Sequence, residues 1–89
     1  MANYRKPVDL TDALTALDNG RLQWKFDCGW ADMQRDPQPR VYPRNPERVS
    51  VIVSYPENHL LHGIATGGMC DGLDSRELKR YAARYRVMQ

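Results

Sequence analysis

Apolar side chains recur along this chain in two rhythms, and each change of rhythm marks an element. Leu10, Ala13, Leu14 and Leu17 recur at spacings of three and four, which predicts an amphipathic helix. Asp9 precedes them as a cap, with Asp12 near the positive end of the helix dipole. Asn19 and Gly20 end the helix, glycine being free to take the left-handed cap conformation. The rhythm then changes to two. Leu22, Trp24, Phe26 and Cys28 alternate with Arg21, Gln23, Lys25 and Asp27. The first set is expected to face the core and the second to face water, as in a strand of an antiparallel sheet.

Residues 29–47 hold Pro37, Pro39, Pro43 and Pro46, and are expected to be connection rather than core. A short strand at Arg40, Val41 and Tyr42 fits within it. The next strand covers residues 48–55, with Val49, Val51, Val53 and Tyr55 pointing one way and Pro56 ending it. If exposed, its edge would be able to pair two copies of the chain. Residues 57–66 read equally as a helical turn or as a strand. Gly63, Gly67, Gly68 and Gly72 argue for a loop around them.

The last predicted element is a basic amphipathic helix over residues 74–88. Asp74 is a good N-cap, and Glu77 stands three positions on as the return partner of a capping box. At 100° per residue, Leu78, Tyr81, Ala82 and Tyr85 fall on one side. Arg76, Lys79, Arg80, Arg84 and Arg86 fill the opposite arc. The expected fold is a single α+β domain over residues 1–89. It would pack an N-terminal and a C-terminal helix on one face of a small antiparallel sheet of two to four strands, with residues 1–7 as a flexible arm.

Charge sharpens this picture. Residues 75–89 carry those five cations against one acid, Glu77, while the rest of the chain holds eight basic and ten acidic side chains. The whole-chain charge of +2 thus hides a mildly acidic body with a basic end. The 89 residues include no apolar run near the ~20 needed to span a bilayer, so no membrane partner is expected. The first seven residues lack the apolar stretch of a signal peptide, and a cytoplasmic location is the expectation. Two cysteines, Cys28 and Cys70, are too few for a disulfide framework.

Candidate chemistry is sparse. His59, His62, Cys28 and Cys70 are of the types zinc prefers, but they lack the paired spacing of a zinc knuckle. Cys70 beside Asp71, with His59 or His62 as base, sits in no nucleophile signature. The glycine-rich stretch 63–68 lacks the lysine and spacing of a phosphate loop. Residues 40–46 have the Arg-x-x-Pro-x-x-Pro spacing of a polyproline ligand, which proline-rich loops also produce by chance. Trp30 and Met33 either lid the core edge or stand exposed at an interface. No cofactor, metal site or catalytic residue is expected, and the chain is expected not to be an enzyme.

The layout, short and single-domain without a cofactor motif, resembles the compact inhibitor or accessory proteins of phages and other mobile elements. That resemblance implies a protein-binding role. Arg76, Lys79, Arg80, Arg84 and Arg86, helped by Arg40, Arg44 and Trp30, are the expected contacts to a larger protein with an acidic surface. The alternative is a nucleic-acid-binding protein using the same arc on phosphates. Neither oligomeric state nor strand order follows from the sequence.

Overall fold

Alternation of buried and exposed side chains governs more of the chain than the sequence suggests. The structure, a computed structural model, describes residues 3–66 and 72–89. In chain order it holds β1 (Tyr4–Arg5), α1 (Leu10–Asp18), β2 (Leu22–Phe26), β3 (Gly29–Arg35), β4 (Val49–Ser54) and β5 (Ala65–Thr66). These are followed by β6 (Gly72–Leu73), α2 (Ser75–Arg80), a 3-10 turn (Ala82–Arg84) and β7 (Tyr85–Met88). Six strands lie in the order β1-β7-β2-β3-β4-β5, and β6 pairs with β4 beside them. Every pairing is antiparallel. The expected sheet of two to four strands with two flanking helices is therefore corrected to a larger sheet carrying two short helices.

Two elements form where the apolar period puts them. Asp9 caps α1 by accepting the Asp12 N–H at 2.8 Å, and Gly20 takes φ 70 just past its end. The helix buries Ala13, Ala16 and Leu17. It packs on β2 and β3. In β2, Leu22, Trp24 and Phe26 are buried as the alternation requires.

The segment 29–47 departs from expectation at once. Its first seven residues are β3, and only the remainder is connection. Phe26 pairs with Gly29 across the two-residue turn Asp27–Cys28. Gly29 has φ 149, a backbone conformation that side-chain-bearing residues rarely adopt. Past it, Ala31 and Met33 point into the core while Trp30, Asp32 and Gln34 point away. Residues 40–42 form no strand. Within the segment expected to be an arm, Tyr4 pairs with Met88 and Arg5 with Val87.

The largest correction concerns the final helix. It stops at Arg80, and residues 85–88 are a strand. Tyr85 points inward on either reading, so it could not tell them apart. Val87 decides: Tyr85 and Val87 alternate with Arg86 and Met88 and seat β7 between β1 and β2. Pairing on both edges and two buried side chains outweigh the helix preference of Ala82 and Ala83. The condition for pairing two copies along residues 49–55 is not met, since β4 pairs with β3 on one side and with β5 and β6 on the other.

Among the described residues the large buried side chains form one cluster, with α1 packed over β2 and β3. Leu22, Met33, Val51, Val53, Leu73 and Tyr85 are its best-covered members. Arg5 of β1 reaches across from the sheet to α1 and holds Asp12 with two bonds of 2.6 and 2.8 Å. That pairing and the Val8 N–H bring the Asp12 carboxyl from the usual 3.8 down to about 2. The other face, with Gln23, Lys25, Trp30, Asp32, Ile52 and Arg86, carries no helix among the described residues.

Candidate interaction surface

The position of α2 is set by one buried carboxylate. Asp74, 3% exposed, accepts the Glu77 N–H at 2.7 Å and so caps the helix. It also accepts from Asn45 Nδ2 at 2.9 Å and Arg48 Nη1 at 3.0 Å. Burial alone would raise the Asp74 pKa. The Glu77 N–H bond and the Arg48 guanidinium, with Asn45, outweigh it and hold the carboxyl below its usual value. Next to it, Ser75 donates its hydroxyl to Glu47 at 2.6 Å. A Cβ on Gly72 would run into the Arg48 guanidinium, so glycine there lets the clamp close. The loop ahead of β4 and the start of α2 are thereby locked together.

Locked in this way, α2 turns Arg76, Lys79 and Arg80 into solvent. Among the described residues none of the three has a carboxylate within ion-pair distance. Arg80 lies over the Tyr81 ring, 5.4 Å from its centroid. Lys79 and Arg80 sit in the last turn, where the helix dipole favours cations. These three remain of the expected five-residue arc.

The other two are drawn into the molecule. Arg84 donates to the Lys25 carbonyl at 2.7 Å, lies 3.7 Å from Asp27 and stands over the Trp24 ring. Arg86, on the bare sheet face, is stacked between two rings, 4.2 Å from Trp30 and 4.7 Å from Tyr4. Its Nε donates to Gln23 Oε1 at 2.7 Å, and Gln23 donates in turn to Asp32 at 2.8 Å. The arc is split because a helical wheel assigns directions to residues that here belong to a strand. Trp30 is thus half-buried beside Arg86 and away from α2, and borders an open groove of about 480 Å³ with Gln23, Asp32, Glu57 and His62. Arg40 and Arg44 are exposed on the loop that precedes β4, Arg44 directly before the clamping Asn45.

Among the described residues no group of three or more histidine, cysteine or acidic side chains could hold a metal ion. His59 lies 4.2 Å from Tyr55, ring to ring, and its Nδ1 accepts the Leu61 N–H. His62 lines the Trp30 groove. Cys28 is half-buried at the β2–β3 turn. Cys70, Asp71, Gly67 and Gly68 lie outside the described residues, and with them the suggested nucleophile and the last two positions of the glycine stretch. The segment left open between helix and strand is turns up to Gly63, followed by β5.

One feature was missed from sequence. Residues 7–10, α2 and the 3-10 turn after it border an apolar groove of about 460 Å³, with Pro7, Val8, Leu10, Leu78 and Ala82 in its lining. Val8, just ahead of the Asp9 cap, stands where a hydrophobic staple would pack onto α1, yet it is 81% exposed. The groove joins two segments nearly seventy residues apart in sequence, so no local pattern announces it.

No helix among the described residues is long and apolar enough to cross a membrane. No protein-family model, curated protein or solved structure matches the chain.

Proposed function

We propose that the protein is a small non-enzymatic binding module, of the inhibitor or accessory kind, that docks on an acidic surface of a larger protein through Arg76, Lys79 and Arg80. The observation that carries this reading is the grouping of three exposed cations on one short helix. Arg5, Arg35, Arg48, Arg84 and Arg86 are bonded to the molecule's own acids, carbonyls or amides. The three on α2 are held outward on a clamped helix and are left unpaired by the described residues. Arg44 and Arg40 support the same role from the loop joined to α2. Arg84, Arg86 and Trp30 are engaged with the sheet, which supports leaving them out of the proposed surface.

The test compares two polyanions, polyglutamate and random-sequence duplex DNA, at low and moderate salt, on the protein and on an R76E/K79E/R80E variant. Three exposed ion pairs at ~0.2–1 kcal/mol each predict a loss of roughly three-fold to 150-fold in polyglutamate affinity. Unchanged binding by the variant would overturn the proposal. Strong, steeply salt-dependent binding to DNA with little to polyglutamate would favour the same cations tracking phosphates instead.

A further inference from the structure

From the groove beside α2 we infer what kind of acidic partner fits: an amphipathic helix that lays leucine-like side chains between residues 7–10 and α2 and turns its carboxylates toward Lys79, Arg76 and Arg80. This rests on the binding role proposed above and specifies the partner.

The apolar groove and the cationic ridge meet at shared residues. Ser75 and Lys79 line the apolar groove, and they also line a shallow basic hollow with Arg76 and Arg80. An apolar channel thus runs directly along a cationic ridge. Its walls are Pro7, Val8 and Leu10 on one side and Leu78 and Ala82 on the other. A small recess of about 50 Å³ continues it down to Tyr85. The acid on its rim, Asp9, is already committed to capping α1. A ligand that only carried negative charge would leave Val8 in water. A ligand that was only apolar would strand the ridge against a low-dielectric surface, which is costly for charges. A helix apolar on one face and acidic on the flank satisfies both.

Size agrees. The six residues of α2 and the three of the 3-10 turn cover roughly 15 Å at ordinary helical rises. That matches about three turns of a partner helix, with anchors at positions i, i+3 or i+4, and i+7. A second copy of this chain fits poorly. A two-fold contact through the groove would bring one cationic ridge against another.

The experiment is a titration of isotope-labelled protein with two synthetic 14-residue peptides of identical composition. One arranges three leucines at i, i+4 and i+7 among glutamates; the other scrambles them. The amphipathic peptide should move backbone amide signals of residues 7–10 and 75–82 and bind at least ten-fold tighter than the scramble. Val8→Glu and, separately, Ala82→Glu should each weaken it about ten-fold without changing the thermal midpoint, since both side chains are exposed. Equal binding of the two peptides would overturn the groove while leaving the charge-based role standing. Failure of both peptides together with polyglutamate would remove the underlying role as well. A protein dimer that Val8→Glu dissociates would replace the partner helix by a second copy and overturn the inference.

Discussion

Replacing Asp74 by alanine removes the cap of α2 and takes away the carboxylate 3.0 Å from Arg48, whose side chain is only 20% exposed. Losing an N-cap costs ~1 kcal/mol. Removing one member of a buried ion pair costs roughly 3–5 kcal/mol, because the abandoned charge stays desolvated. Arg48 is not fully enclosed and also lies over the Tyr42 ring, so it can turn partly to water. These together give an expected loss of about 3 kcal/mol. For a domain of this size that is a fall of ~12–24 °C in thermal midpoint. Asp74→Asn keeps an acceptor for the Glu77 N–H and should lose less, about 1–2 kcal/mol. The assay is urea unfolding at constant m-value, run as a double-mutant cycle with Arg48→Met. The acid-side behaviour follows from the same geometry. A carboxyl held below its unfolded pKa contributes stability above that pKa and loses it as pH falls through the folded value. A loss under about 1 kcal/mol for Asp74→Ala, or no coupling to Arg48, would refute the view that this carboxylate orients α2.

Asp12 offers a second, cleaner acid probe. With its carboxyl at about 2 instead of the usual 3.8, its contribution is complete above the higher value and is lost as pH falls toward the lower. Asp12→Asn should therefore be destabilised near neutral pH and show a shallower decline between those values, measured by urea unfolding at each pH. Arg86→Ala removes two ring contacts and the bond to Gln23, and should cost about 2 kcal/mol. It should also alter the fluorescence of Trp30; a cost under ~0.5 kcal/mol would show that the stack does not contribute.

The sequence was readable where one period held for the whole element and one face was buried. In α1 and β2 the stripe, the caps and the alternation agree and both elements form, although β2 ends at Phe26 and leaves Cys28, expected on the core face, half-buried in the turn. β3 was hidden because Gly29 and the prolines beyond Arg35 dominate a segment whose inward residues are only Ala31 and Met33. β7 was hidden because the cations before it keep helical spacing, and the strand earns its stability from β1 and β2, neither nearby in sequence. The candidate site was half legible. Asp74, Glu77 and the three cations of α2 are local. The clamp from Asn45 and Arg48 and the wall supplied by Val8 are products of tertiary folding.

The seat of β7 bears on how the molecule comes into being. Residues 85–88 slot between strands translated some sixty to eighty positions earlier, with Val87 opposite both Arg5 and Leu22. Until residues 85–88 have been made and have left the ribosome, Leu22 and Trp24 lack a neighbour on that edge, and the nascent polypeptide cannot complete its sheet. Such distant pairings place folding toward the slower, millisecond-to-second range. A chain cut short before Tyr85 would leave β2 as a raw, aromatic-bearing margin open to aggregation.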